Sequence, residues 1–249
     1  MASHFSSIGM PVESEDDLRA LAERVADSCA IHNTSIGRYL CWSSRSGAEL
    51  WLQVDADDNL VGMNPHFAGE SLVRVGLIAR VTRPGGTELD GAFHGWAEPN
   101  NDDPQSGCYP FVFDTPDFRL HNQLNLPALV KARIAAFAHE LSLFPSVEAY
   151  ETAQTGDIKF ASQSFIPSGL FSPAGEKTEP PEAHAIFTGH IRKVEERTNE
   201  LTNKGFWWAL VESLGGVFDV VIDPELVEDT PQVGGVLSGA FWLSGRLST

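Results

Sequence analysis

The last third of the chain alternates short runs of strand-forming residues with glycines. Val, Ile, Phe and Trp dominate residues 206–211, 218–222 and 236–237, and glycine pairs stand at 215–216 and 234–235. β-Branched and aromatic residues favour strands, and paired glycines favour tight turns. The pattern predicts a compact β module and accounts for these residues without any catalytic role.

The chain is acidic and of ordinary globular composition. It has 249 residues, 42% of them hydrophobic, and a formal net charge of -17. This length suits one large domain or two modest ones. Because the negative charge repels nucleic-acid phosphates and anionic lipid headgroups, neither nucleic acid nor a membrane is expected as a partner. The partners expected instead are another protein, a second copy of the chain, or a small molecule.

The three cysteines, Cys29, Cys41 and Cys108, form no CxxC pair and follow no secretory signal. They are expected to be free thiols in a reducing compartment. No apolar stretch approaches the roughly 18 residues that a membrane-spanning helix needs. These features predict a soluble, cytoplasmic protein.

The first half of the chain is predicted to begin with a short strand at residues 5–12. Ser14 then caps a helix with an acidic first turn, which ends near Cys29. Strand-like runs separated by turn clusters follow, at residues 37–42, 49–54, 72–81, 92–97 and 109–113. Because these connections are too short for crossover helices, they predict an antiparallel meander.

A second long helix is predicted to begin at Pro127 and to end before Pro145. Its apolar residues recur at steps of four and three, namely Val130, Ile134, Phe137, Leu141 and Phe144. Segment 166–182 contains four prolines and is the best linker in the chain. It divides the chain into a domain at 1–165 and a β module at 183–249.

The C-terminal module is predicted to contain strands at 184–194, 206–212 and 217–222, a short helix, and strands at 236–240 and 241–247. This order resembles an OB-fold, a small Greek-key barrel. If the last two strands are one bent strand, the module is an open sheet instead. No internal repeat is expected.

The N-terminal segment, residues 1–65, resembles one half of a vicinal-oxygen-chelate protein. His4 precedes the first predicted strand, and Glu49 opens a later one. In that family a His and a Glu so placed hold a divalent metal, so the resemblance implies a metal-ligand pair. Taken whole, the chain also resembles a bacterial family, and that resemblance implies no activity.

The best candidates for ligand binding are His66, His94, Trp96 and Glu98. Imidazoles with a carboxylate are common zinc or iron ligands. On a strand, however, His94, Trp96 and Glu98 alternate onto one face, as at an ordinary half-solvated sheet edge. No spacing of the HxH or HExxH type supports a metal, and no metal site is predicted on the residues alone.

No catalytic motif is complete. His139-Glu140 lacks the second histidine of a zincin helix, and Cys108 has no adjacent base. No nucleophile elbow, dinucleotide fingerprint or phosphate loop occurs, so no catalytic residue and no cofactor are predicted.

Three tryptophans are candidate interface anchors: Trp207, Trp208 and Trp242. Neighbouring residues in a strand face opposite sides, so one of Trp207 and Trp208 is expected to face solvent or a partner. The alternative is that all three pack in the core.

Together these features predict an α+β protein, in which an antiparallel sheet flanked by two long helices precedes a small OB-like β-barrel or open β module. A non-catalytic binding or interaction protein is the expected function. The alternative is a small-molecule-binding protein or metal-dependent enzyme with a pocket on the N-terminal sheet.

Overall fold

The computed structural model describes residues 3–156, 159–170 and 180–248. The chain is mainly β, with 47% strand and 16% helix. Helix α1 spans Glu15–Val25, and a 3-10 turn at Ala26–Ser28 extends it to 14 residues. The predicted α+β class with two long helices is therefore wrong.

Four strands form a small antiparallel sheet in chain order. They are β1 (Ala30–Asn33), β2 (Gly37–Ser43), β3 (Ala48–Asp55) and β4 (Leu60–Phe67). The predicted strands at 37–42 and 49–54 are confirmed, whereas β1 and β4 were not expected. The remaining strands of the predicted meander lie in a different sheet.

Nine strands form the large sheet. They are β5 (Val73–Val81), β6 (Ala92–Ala97), β7 (Pro110–Asp114), β8 (Ala128–Phe144), β9 (Ser164–Ile166), β10 (His184–Thr198), β11 (Gly205–Ser213), β12 (Gly216–Ile222) and β13 (Val236–Ser248). A short helix α2 (Val147–Ala153) follows β8. The predicted strands β5, β6, β7, β10, β11 and β12 are confirmed.

The large sheet closes on itself in two rings of five strands. Antiparallel strands β8 and β13 pair along one edge of each. Along its other edge, β8 pairs with β5 near its start and with β12 near its middle. Along its other edge, β13 pairs with β10 in its first half and with β7 at Ser244. The rings β8-β5-β6-β7-β13 and β8-β12-β11-β10-β13 therefore share β8 and β13.

The two rings repeat one arrangement of three strands, a 3-10 turn and a long strand. Asp114 of β7 pairs in parallel with Ser244 of β13, and Asp219 of β12 pairs in parallel with Ala135 of β8. Ser244 and Ala135 also pair with each other, so Asp114 and Asp219 hold equivalent positions. Each ends a Val-Phe-Asp triplet. The expectation of no internal repeat is therefore wrong.

The predicted second helix is strand β8. Its alanine, leucine, lysine and glutamate residues favour a helix, but tertiary pairing overrides that preference. Burial alternates near its start, where Lys131 and Arg133 are exposed while Ala132 and Ile134 are buried. Residues 134–138 are all buried, because this part of β8 lies where the two rings meet.

The C-terminal strands do not form an independent barrel. The two last predicted strands are one strand, β13, with a bulge between Ala240 and Phe241. Its ring closes only through β8, which precedes segment 166–182 in the chain. The predicted OB-like or open module is thus corrected to a ring completed by an N-terminal strand.

The ends of the predicted elements have clear local causes. Ser14 and Asp17 form a capping box that starts α1, as predicted. Residues 5–12 form no strand; a 3-10 turn at Ser6–Ile8 ends at Gly9, whose φ is 72°. In the predicted linker, Ile166 ends β9 and a 3-10 turn spans Ser168–Leu170, while 171–179 lie outside the described residues.

The buried hydrophobic side chains of the described residues form three clusters, of which two are large. The first fills the two rings with inward residues such as Phe113, Phe187 and Phe218. The second joins the outer surface of the rings to α1 and one face of the small sheet, through residues such as Leu21 and Trp208. No helix among the described residues is long and apolar enough to cross a membrane.

Candidate functional site

A cavity of about 320 Å³ lies beside the small sheet, at the edge of the first ring. Loops before β6 and after β7 supply most of its wall, and β4 and β13 supply the rest. Its charged and polar side chains are those of Asn64, Arg83, Thr87, Asp90, Asp114, Thr115 and Ser244. Trp242, two prolines and two glycines complete the lining.

An ion pair between Arg83 and Asp114 stands at the centre of this wall. Nη1 of Arg83 donates to Oδ1 of Asp114 at 2.5 Å, and Nε donates to the carbonyl oxygen of Pro181 at 3.0 Å. Nε1 of Trp242 donates to Oδ2 of Asp114 at 2.6 Å. Both carboxylate oxygens are thus engaged, and the guanidinium is held from two sides.

Asp90 provides a second fixed carboxylate. It accepts hydrogen bonds from Nε2 of Gln53 at 2.6 Å, Nδ2 of Asn64 at 2.9 Å and the backbone N–H of Thr87 at 2.9 Å. These bonds attach the loop before β6 to the small sheet. With one guanidinium against two carboxylates, the ionised lining carries a net charge of about -1.

Two buried polar atoms in the wall have no hydrogen-bond partner among the described residues: Nη2 of Arg83 and Oγ1 of Thr115. Unsatisfied buried polar atoms are rare in folded proteins. Both residues line the same cavity. Because each of these two atoms has almost no accessible surface, a molecule in the cavity reaches neither of them unless the wall moves.

His66, predicted as a ligand-binding residue, is buried against this site. Its Nδ1 lies 2.8 Å from Oγ of Ser244, within hydrogen-bond distance. Burial lowers the pKa of His66 to about 4, so its imidazole is neutral at pH 7. A base with so low a pKa activates a hydroxyl poorly, and the pair better suits positioning of Ser244 than nucleophilic catalysis.

A buried ionic cluster extends the same face of β13 beyond Ser244. Arg246 contacts Glu49 at 3.4 Å and Asp117 at 3.1 Å, and its guanidinium lies 4.6 Å from the ring centroid of Trp51. Trp51 donates to Glu49 at 2.9 Å. Both carboxylates are almost fully buried, so Arg246 offsets part of their charge and joins the small sheet to the rings.

His94, Trp96 and Glu98 do not join His66. They lie along and just beyond β6, all only partly exposed, and no hydrogen bond or ring contact among the described residues links them to His66. Burial lowers the pKa of His94, whose Nε2 has no hydrogen-bond partner among those residues. His66 thus lies apart from the other three residues predicted with it.

The three tryptophans are placed differently from one another. Trp207 is partly buried against the core of the rings. Trp208 is fully buried and donates to Asp219 at 2.8 Å. Trp242 is 7% exposed and belongs to the cavity.

A histidine cluster lies behind Trp242. Nε2 of His4 and Nε2 of His139 are 2.7 Å apart, so at least one ring is neutral, and the ring of His4 stacks on Trp242 at 4.2 Å. His184 lies beside His139. His4 and Glu49, paired in the vicinal-oxygen-chelate resemblance, have different partners. Within the described ranges, no three His, Cys, Asp or Glu side chains are grouped to hold a metal.

The second ring contains a filled counterpart of the Asp114 position. Asp219 accepts the backbone N–H groups of Glu70 at 2.9 Å and Ser71 at 2.8 Å, besides the indole N–H of Trp208. The chain itself therefore occupies this position. A Cβ on Gly69 would lie 2.0 Å from the carboxyl carbon of Asp219, so the fit is close.

Comparisons with protein-family models, curated proteins and solved structures found no match for this chain.

Arg83, Asp90, Asp114 and Thr115 were not among the predicted site residues. Arg83 and Asp90 come from the loop before β6, Asp114 and Thr115 come from the end of β7, and no local motif joins the two pairs. The one signal that points to Asp114 is the Val-Phe-Asp triplet at 112–114, which recurs at 217–219.

Proposed function

We propose that this chain is a non-catalytic binding protein that holds a small polar molecule in the cavity between Arg83 and Asp90. The observation that carries the proposal is a cavity of about 320 Å³ lined by Arg83, Asp90 and Asp114, whose charged groups are each held by hydrogen bonds. Cavities of this size with a few convergent polar groups suit small ligands.

The polar groups are fixed by the protein itself. Asp114 is held by Arg83 and Trp242, and Asp90 by two side chains of the small sheet and one backbone N–H of its own loop. Groups held in place lose little conformational freedom when a ligand binds, which favours affinity. The weak base His66 and the shielded Ser244 favour binding over catalysis.

An interaction surface built on the tryptophans has less support, because Trp208 and Trp242 are buried. The three cysteines, Cys29, Cys41 and Cys108, are free thiols. Free thiols suit a reducing compartment, and a cytoplasmic location is part of the proposal.

A thermal-shift screen of a small-molecule collection tests the proposal. A ligand that binds only the folded state raises the melting temperature, by about 2–4 °C at a concentration of about five times Kd and by more at higher concentrations. We expect this shift in the wild type and in the exposed control Asp57→Asn, but not in Asp114→Asn. Stabilising compounds that act equally on all three proteins would place binding elsewhere and contradict the proposal.

A further inference from the structure

A second cleft, of about 380 Å³, lies beside strand β4 at the edge of the small sheet. The turn at 55–57 and the loop segment 87–89 form most of its wall, and Ile36 and Val61 complete it. This acidic cleft shares Thr87 with the cavity described above, but none of the charged residues of that cavity lines it. A molecule bound here would therefore contact different charged groups.

The floor of the acidic cleft is apolar. Leu89 is 2% exposed and belongs to the smallest of the three hydrophobic clusters, against which Ile36 also packs. Val61 is 40% exposed and lies at a bulge of β4, where it has no partner in β3. Leu60, beside it in the chain, is 48% exposed. The apolar surface thus extends from a buried cluster to the outside of the molecule.

The rim of the acidic cleft is negatively charged. The carboxylates of Asp55, Asp57 and Glu88 belong to its lining, which contains no Lys, Arg or His among the described residues. Hydrogen bonds from Asn59 lower the pKa of Asp55, so this carboxyl group is ionised at pH 7. With all three groups ionised, the lining carries a net charge of about -3.

Two arginines near the acidic cleft have other partners. Nη1 of Arg38 lies 2.5 Å from Oδ1 of Asp58, which is outside the lining. Nε of Arg119 donates to the carbonyl oxygen of Glu88 at 2.5 Å, and its guanidinium lies 5.6 Å from the ring centroid of Phe118. Both arginines reduce the negative potential, but neither forms an ion pair with a carboxylate of the cleft.

An apolar floor under an acidic rim constrains the chemistry of a partner. An anion would be repelled, and an uncharged apolar molecule would displace water from the carboxylates without compensating their charge. A partner with both apolar and cationic groups satisfies the two requirements. Because Leu60 continues the apolar surface past the cleft, a chain segment covers it better than a single small cation. The net charge of -17 also attracts a basic partner.

We propose that the acidic cleft docks a basic peptide segment of a partner protein. An apolar side chain of that segment lies against Val61 and Leu89, and its lysine or arginine side chains point toward Asp57 and Glu88. The apolar contact supplies affinity, and the opposite charges orient the segment and speed its association. The acidic cleft is a separate site from the cavity of the proposed function, and the proposal does not rest on that function.

Fluorescence anisotropy with the full-length protein tests the proposal. The probe is a labelled peptide, acetylated and amidated, with the sequence Lys-Lys-Leu-Lys-Lys. We expect saturable binding at low ionic strength. A serine in place of the leucine is expected to weaken binding about tenfold, because the buried apolar side chain is lost. A peptide with glutamate in place of every lysine is expected not to bind.

Two pairs of matched variants at exposed positions locate the binding. Val61→Ser is expected to weaken the leucine peptide about fivefold. Val233→Ser, at a valine 64% exposed outside the cleft, leaves its affinity unchanged. Glu88→Gln is expected to weaken it about threefold, as for one exposed ion pair, and Glu23→Gln on α1 by clearly less.

Two results would overturn the proposal. Equal affinities of the leucine and serine peptides, or equal effects of Val61→Ser and Val233→Ser, would mean that the net charge alone attracts the probe. Displacement of the peptide by n-butylammonium at concentrations near the Kd of the peptide would assign the cleft to a small organic cation instead.

Discussion

Asp114 and Asp219 occupy equivalent positions in the two rings, and each accepts a hydrogen bond from a tryptophan indole. Their remaining partners differ. Asp219 is covered by backbone N–H groups of its own chain, whereas Asp114 is paired with Arg83 at the wall of a cavity. The repeat thus contains one closed copy and one open copy of the same site.

Asp219→Asn is expected to lower the free energy of unfolding by about 2–3 kcal/mol. The amide leaves at least one of the three donors on Asp219 without an ionised acceptor in a buried place. Urea denaturation followed by tryptophan fluorescence measures the change. Asp57→Asn, on an exposed turn, is expected to stay within about 0.5 kcal/mol of the wild type. Equal stability of both variants would show that the Asp219 contacts contribute little.

Gly69→Ala is expected to destabilise the protein by about 2 kcal/mol or more, because the new methyl group would overlap the carboxylate of Asp219. Gly205→Ala is a matched control, since its added carbon would have no atom nearer than 3.5 Å. Thermal unfolding of both variants checks this difference. A Gly69→Ala protein that melts with the wild type would mean that segment 69–71 does not press against Asp219.

The elements that could be predicted are those whose local signals agree with their surroundings. Helix α1 has a capping residue and an apolar face, and β6 has the predicted bounds, 92–97. Strand β8 misled prediction because its helix-forming composition also suits a strand buried between two rings. Local pattern carries no information on that long-range pairing.

The residues of the candidate cavity could be predicted only in part, because long-range strand pairing brings them together. Of the predicted residues, Trp242 lines the cavity, and His66 is buried behind Ser244, which also lines it. Arg83 and Asp114 meet only because β5, β7 and β13 are brought together in the first ring. The recurrence of Val-Phe-Asp was the available clue, but a triplet is short enough to arise by chance.

Stability is expected to fall as the pH is lowered from 6.5 to 4. Burial lowers the pKa of His66 from its ordinary 6.5 to about 4, so in this window the unfolded chain binds a proton that the folded chain excludes. The stability is fully present above pH 6.5 and is lost toward pH 4, at up to about 1.4 kcal/mol per pH unit for this histidine.

Urea denaturation at several pH values measures this dependence. His66→Asn keeps a polar atom near Ser244 but does not titrate, so its slope between pH 6.5 and 4 should be shallower than that of the wild type. Parallel slopes for the two proteins would assign the pH dependence to other groups.

Arg246→Met is expected to cost about 3 kcal/mol, because it leaves the buried carboxylates of Glu49 and Asp117 without their shared cation. Arg246→Lys should cost less. Arg19→Met removes an exposed ion pair with Asp16 and is expected to change stability by less than about 1 kcal/mol. Chemical denaturation measures the free energy of unfolding of the three variants. Similar losses for Arg246→Met and Arg19→Met would contradict the role given to the buried cluster.

The most direct test of the open copy uses the indole N–H resonances of the six tryptophans in a 1H–15N spectrum. Trp242→Phe and Trp208→Phe assign the two resonances that belong to the aspartate pairs. Each compound that stabilises the wild type but not Asp114→Asn is then titrated into the labelled protein. The account predicts that the Trp242 resonance moves while the Trp208 resonance, in the filled copy, stays in place. Binding that leaves Trp242 unmoved would contradict the assignment of this cavity as the functional site.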